Sequence, residues 1–532
     1  MTIFVRACGV VDGTEIERWA QAWLRTAMPQ PEEEMPQPEE ESSPVPGAHW
    51  WSRSLVVAVM VVAVIVVVVV VPVAWSAWSS DACADGLAWR GAECVGVTDG
   101  TLDGHAEIFG PELEPVMRAI AAENRRVMDE GDNFVTVAYL GPLGKGPYSL
   151  LDGRDVHKLE GAFIGQVTAN REQRSPRIRM VVANMGSDES AWRFAVDQLK
   201  ARQARERIVA IAGVGLSQQE SVDAARRLAA EPAIPIVGDT NTADGFDATG
   251  AVDGKGRIPG LVRVSLNGGA QMAAVRRELA KRPELTSAML VQAENTPQGT
   301  PDLYTASLRA SFRGPDLKPY LDKTGFEFLY DPRGGPGAAG TISDLVCAKS
   351  TDILFYAGRQ AFLPVLLKNL RHRPCHSEPL TVVTGSQADG QDRDDPNLHA
   401  PEAPLDILHV PLADPGRLDD QDNPHRDLFE DFIDKFTRPH HGQRFPRAHV
   451  SGWTIVGHDA MVTATTAINK AGARTDSSPR LPTPAQVSNQ LSLFQGPNVV
   501  RGAGGVFNID PTTGNRINSR PSPEAVWLGG PR

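Results

Sequence analysis

Cysteine and tyrosine are scarce in this chain, 5 and 6 among 532 residues, and no extended run of lysine or arginine occurs. So few cysteines exclude a disulfide-dense scaffold. The missing basic clusters, with a net charge of -12, exclude a nucleic-acid surface, because phosphate binding needs grouped cations. Metal motifs are missing too. Asp419, Asp420 and Asp422 lack the glycine and distal glutamate of a calcium loop, and the adjacent His440 and His441 have no second ligand pair at zinc spacing. No metal or other cofactor is expected. The 41% apolar and 22% charged content is ordinary for a globular chain long enough to bury one or two large cores.

Charge is also missing locally, from Ser54 to Ser80, and the centre of that stretch is LVVAVMVVAVIVVVVVVPVA, Leu55 to Ala74. Such a run is long enough to cross a hydrocarbon core of about 30 Å as a helix. It predicts a membrane helix over 53–75, flanked by Trp50 and Trp51 on one side and Trp75 and Trp78 on the other. Arg53 next to the N-terminal end predicts a cytoplasmic segment 1–52 and a single-pass cell-membrane protein whose main domain is extracytoplasmic. The polar stretch before the run is too long for a secretory n-region, so the segment reads as a signal-anchor. Within 1–52, MPQPEEE occurs twice in tandem, a proline- and glutamate-rich linker that cannot bury a core.

Beyond the membrane run, 76–131 reads as a stalk. Cys83 and Cys94 are placed to close a disulfide loop there, and Leu113, Val116, Met117, Ile120 and Val127 form the apolar side of a helix. From 132 to 532, apolar strand-like runs alternate with amphipathic helices, the pattern of an α/β domain built on parallel sheets. The expected strands are FVTVAYL, RIRMVVAN, RIVAIAG, AIPIVG, LVRVSL, SAMLVQA, FEFLY, DILFYAG, LTVVTG and LDILHVPL. Cys347 and Cys375 each end a helix-like segment just before a strand, at one sheet edge, and are expected to pair. Cys8 remains a free thiol.

One turn stands out for chemistry, GVGLSQQE, Gly213 to Glu220. It approximates a hydrolase nucleophile elbow, but Gln219 stands where the tight turn needs glycine, and His458 lies in a helical run rather than on a loop. No enzyme activity is expected. The S-x-x-E spacing of Ser217 and Glu220 reads as a capping box. The same helix mouth would present N–H groups at the carboxyl edge of a parallel sheet, where α/β folds bind ligands.

The ordered segments AYLGPLGKG, LEGAFIGQVTAN, GVGLSQQESVDAARRLAAEPAIPIVGDTNTAD, GHDAMVTATTAINKAGA and GPNVVRGAGGVFNIDPTTGNRI resemble the type I periplasmic binding protein superfamily, especially its branched-chain amino-acid-binding branch. The resemblance implies an α/β fold of two lobes joined by three crossings, closing on a ligand by hinge motion. Lobe 1 would hold about 133–268 and 387–500, and lobe 2 about 285–385 with the C-terminal strand. It implies a ligand carboxylate held by Ser217 and Thr242, with Gln218 and Asn241 as backbone donors, and Leu143 in the Gly-Pro turn. In lobe 2, Tyr304, Arg359 and Gln360 take the facing positions. The relatives carry an acidic residue near Phe362, whereas this chain offers Arg359, which favours an anionic or carbonyl group on the ligand over an α-amino group. Three uses stay open: solute delivery to an ABC-type permease, sensing through a cytoplasmic partner of 1–50, and an interaction module that binds no solute.

Overall fold

The computed structural model describes residues 82–144, 153–171, 176–296, 299–389, 391, 395–472 and 481–529. The expected membrane helix 53–75, the segment 1–52 with its linker, and Cys8 lie outside the described residues. Among the described residues, no helix is long and apolar enough to cross a membrane.

All ten strands expected from the sequence form. After a short hairpin ladder, β1 (Ala82–Ala84), β2 (Leu87–Arg90) and β3 (Glu93–Thr98), come β4 (Phe134–Gly141), β5 (Arg177–Asn184), β6 (Ile208–Gly213), β7 (Ile236–Gly238) and β8 (Leu261–Arg263). These eight make one sheet in the order β1-β2-β3-β5-β4-β6-β7-β8. The second sheet uses β9 (Ala288–Ala293), β10 (Glu327–Tyr330), β11 (Ile353–Ala357), β12 (Leu380–Val383), β13 (Leu405–His409) and β17 (Val526–Leu528), in the order β10-β9-β11-β12-β13-β17. A small antiparallel sheet, β14 (Val500–Gly502), β15 (Gly505–Ile509) and β16 (Arg516–Arg520), completes lobe 1. Strands such as IVAIAG are buried along their whole length, because helices cover both faces of each sheet. Each sheet accordingly has a separate apolar cluster on either side.

The chain crosses between the lobes at about 264–267, 410–414 and 521–525, the three crossings that the resemblance implies. Arg417 ties two of them, donating to Ser522 O at 2.8 Å and pairing with Glu524 at 2.9 Å. Arg516 reaches the first through Val264 O at 3.2 Å.

Two boundaries differ from expectation. The stretch 387–409 belongs to lobe 2, because β13 continues β12 in parallel register, Leu380 opposite Leu405 and Val383 opposite Leu408. Lobe 1 resumes only after the crossing at 410–414 and runs on through β16. The expected stalk is no spacer either. β3 pairs antiparallel with β5, Gly96 opposite Asn184, so the cysteine hairpin extends the lobe 1 sheet. The helix Glu114–Asp129 buries Val116, Met117, Ile120 and Val127 in that lobe's core, and Asn124 donates to Met180 O on β5. Both expected disulfides are present, Cys83 with Cys94 and Cys347 with Cys375.

Candidate ligand-binding site

The strands of lobe 1 end in two turns that carry the expected ligand groups. β6 runs through Gly213 into Gly215, whose φ of +83° suits glycine and whose added Cβ would stand 2.3 Å from Ser221 Oγ and 2.6 Å from Glu189 Oε1. Glu189 braces this serine turn from beneath, accepting from Leu216 N and Ser221 Oγ, both at 2.6 Å. Burial pushes its carboxyl up to about 7. The helix that follows, Gln219–Ala229, starts one residue later than the capping box requires, with Gln218 at the N-cap and no side-chain cap. Ser217 Oγ is engaged elsewhere. It accepts from the backbone N–H groups of Thr242 and Ala243, each at 3.0 Å, and so joins the serine turn to the threonine turn after β7. The capping-box expectation is thus corrected: a tertiary partner takes the hydroxyl.

Behind the threonine turn lies a buried ion pair, Lys158 Nζ to Asp239 Oδ2 at 3.1 Å. Tyr139 donates to Asp239 at 3.2 Å and Lys158 donates to Thr240 Oγ1 at 3.2 Å. Lys158 is brought there by close helix packing. The helices Arg154–Arg171 and Gly452–Gly472 approach so nearly that a Cβ at Gly457 would sit 2.2 Å from Lys158 O.

Lobe 2 meets these turns directly. Arg359 follows β11 and forms a two-point pair with Asp302, Nε to Oδ2 at 2.7 Å and Nη2 to Oδ1 at 2.8 Å. Nη2 also donates across the seam to Ser217 O at 3.2 Å, and the guanidinium lies 4.9 Å from the Tyr304 ring centroid. Burial works against the Arg359 charge, but the Asp302 carboxylate outweighs it and holds the pKa above the usual arginine value. Asp302 at the same time caps the helix Leu303–Phe312, accepting from Tyr304 N at 3.0 Å and Thr305 N at 3.3 Å. Gln218 and Asp302 form an antiparallel bridge between the lobes, and Ser307 Oγ lies 2.8 Å from Asp244 Oδ2.

Of the residues expected at the site, Ser217, Gln218, Thr242, Tyr304, Arg359 and Gln360 come together around this seam, all buried. Asn241 braces the serine turn, donating to Gly215 O at 3.2 Å. Leu143 is not brought to the seam. Its side chain belongs to the lobe 1 core and its N–H donates to Asn184 Oδ1 at 3.1 Å, so its place in the expected ligand set is corrected to a packing role. Asp302, Glu189 and Gln387, which accepts from Gln360 N at 3.4 Å, were not singled out by the sequence reading. Of the buried polar atoms here, Gln218 Nε2, Thr305 Oγ1 and Gln360 Oε1 have no hydrogen-bond partner. Such atoms cost about 1–3 kcal/mol each when left unsatisfied, and a bound ligand at the seam would supply their partners.

Two lobes, two parallel sheets flanked by helices and three crossings define the fold of the type I periplasmic binding proteins. Solved structures agree. An ABC transporter substrate-binding protein from Desulfitobacterium hafniense, in complex with leucine, is 17% identical with a TM-score of 0.50, over 74% of this chain and 96% of that one. The branched-chain amino acid transporter substrate-binding protein LivJ from Streptococcus pneumoniae, in complex with isoleucine, is 12% identical with a TM-score of 0.51, over 74% and 99%. A solute-binding protein of an ABC transporter from R. palustris, in complex with 4-hydroxybenzoate, is 15% identical with a TM-score of 0.50, over 72% and 90%. At these identities the likeness is one of fold. No family model matches the chain, and no curated protein matches it.

Proposed function

We propose that the chain is an extracytoplasmic solute-binding protein, held at the cell membrane by its Leu55–Ala74 run, that closes two lobes around a small polar or anionic molecule for an ABC-type permease. One observation carries this reading. Partnerless polar atoms from both lobes, Gln218 Nε2, Thr305 Oγ1 and Gln360 Oε1, gather at the seam where the strands of the two sheets end. The three crossings supply a hinge, and the fold neighbours include proteins crystallised with amino acids and with a hydroxybenzoate. The test is a thermal-shift screen of the full chain in detergent against amino acids, amides and small carboxylates. A binder at a concentration 100 times its Kd should stabilise by about 2.7 kcal/mol and raise the melting temperature. A screen in which nothing shifts would overturn the reading.

A second reading has its own support. The lobes already touch through Arg359 and Ser217 O, through Asp302 and Gln218, and through Ser307 and Asp244. A domain whose seam is filled by its own side chains also serves as an interaction module. Under that reading, cross-linking the two lobes through cysteines placed at the seam would leave its partner binding intact. A solute binder locked in this way would lose ligand exchange.

A further inference from the structure

The place of the Asp302 carboxylate is unusual for a buried anion, because it satisfies two demands that can be separated. Its Oδ1 accepts from Tyr304 N and Thr305 N at the mouth of the helix Leu303–Phe312, and its two oxygens together face the Nε and Nη2 edge of Arg359. A carboxylate that gives up Arg359 keeps its two helix N–H groups, so its own loss is partly offset. Within its own lobe, Arg359 keeps the Tyr304 ring, 4.9 Å from its guanidinium, as a further partner. Its side chain is 7% exposed, its Nη2 contact beyond Asp302 is the carbonyl of Ser217 on the opposite lobe, and that contact parts when the lobes part. An opened seam therefore lets water and solute reach a guanidinium whose Nε and Nη2 edge, still held by Asp302 of the same lobe, is shaped for a planar, two-oxygen anion. The partnerless Gln218 Nε2 is a hydrogen-bond donor on the residue that bridges to Asp302, able to serve such an anion's remaining lone pairs.

We propose that Asp302 is a built-in stand-in for a ligand's carboxylate. The interlobe site selects molecules that present a carboxylate to Arg359, and binding exchanges that carboxylate for Asp302. This rests on the solute-binding reading and names the chemical class that reading leaves open. It also gives Arg359 a role that an ammonium-bearing group on the ligand could not share, since like charges would meet there.

The test uses the full chain in detergent, with acetate as probe, acetamide as its neutral counterpart, and chloride to keep ionic strength fixed. Asp302→Asn keeps a side-chain oxygen for the helix cap and removes the anion from Arg359. Acetate should raise the melting temperature of this variant with a half-effect concentration at least tenfold below that of the wild type, while acetamide raises neither. Adding Arg359→Met to Asp302→Asn should abolish the acetate response. A folded Asp302→Asn variant, with wild-type circular dichroism, that ignores acetate would overturn the proposal, as would a response that survives Arg359→Met. Should Asp302→Asn fail to fold, Asp302→Ser, which also caps the helix, carries the same comparison. The two readings fail separately. An Arg359-dependent rescue beside a wild type that binds nothing in the solute screen would keep the carboxylate site and remove the solute binder. Tight wild-type binding of solutes that have no carboxylate would do the reverse.

Discussion

Lys158 meets Asp239 at 3.1 Å with side chains 1% and 0% exposed, and Arg359 meets Asp302 at 2.7 Å with side chains 7% and 2% exposed. Similar in burial, the two pairs differ in what encloses them. Every partner named for the first pair, Tyr139, Thr240 and the helix that carries Lys158, belongs to lobe 1, so no hinge motion brings water to it. The second pair is roofed by the opposite lobe through Ser217 and Gln218. If the lobes part as the solute-binding proposal requires, its desolvation is reversible, and a charge that is dry in one state and wet in another can change partners. The comparison teaches that burial alone does not separate a structural ion pair from one available for exchange; the enclosure does.

The sharpest way to break that contrast is Asp239→Ala. It leaves the Lys158 ammonium buried without its carboxylate, and the expected cost is about 3–5 kcal/mol in urea unfolding. Asp302→Asn should cost clearly less in the same measurement, because an opened seam rehydrates Arg359. Equal costs would show that the seam is as fixed as the lobe interior.

Glu189 sharpens the comparison from beneath the serine turn. Burial raises its folded carboxyl to about 7 from the ordinary 4.5, although Ser221 and the Leu216 N–H favour the charged form. The folded chain therefore holds a proton that the unfolded chain releases. The resulting stability is complete below about pH 4.5 and is lost as pH rises through about 7. Glu189→Gln stays neutral throughout, so its advantage over wild type should grow by about 3 kcal/mol across that window. Unfolding free energies measured from pH 4 to 8 check this, and a pH-independent difference would count against it.

The smallest effect is expected from Ser217→Ala. It strips the acceptor from the buried N–H groups of Thr242 and Ala243, at a cost of about 1–2 kcal/mol in thermal or urea unfolding. Helix content should not change, since the hydroxyl caps no helix. Fraying of Gln219–Ala229 in hydrogen exchange would restore the capping-box reading.

The sequence was most legible where structure is local. Ten strands announce themselves as apolar runs, all but β10 largely buried, and both disulfides follow from where their cysteines fall between elements. What could not be read depends on partners far along the chain. The short strands β1 to β3 look like a cysteine loop because the strand that β3 pairs with, β5, begins only at Arg177. Ser217 and Glu220 match a local capping pattern, but the N–H groups that claim the hydroxyl lie 25 and 26 residues away. Asp302 goes unremarked in the sequence because nothing in its neighbourhood announces an arginine 57 residues on. The boundary near 387 was misplaced for a related reason. The polar stretch before β13 looks like a change of lobe, whereas strand register keeps the chain where it was.

The cysteine hairpin has a mechanical meaning once it is seen as sheet. The described domain is entered at β1; β3 is joined to lobe 1 by hydrogen bonds to β5, and the Cys83 to Cys94 link ties β1 to β3. Whatever holds the preceding chain therefore holds lobe 1 first, and under the solute-binding proposal lobe 2, reached only through the three crossings, is the part left free to turn.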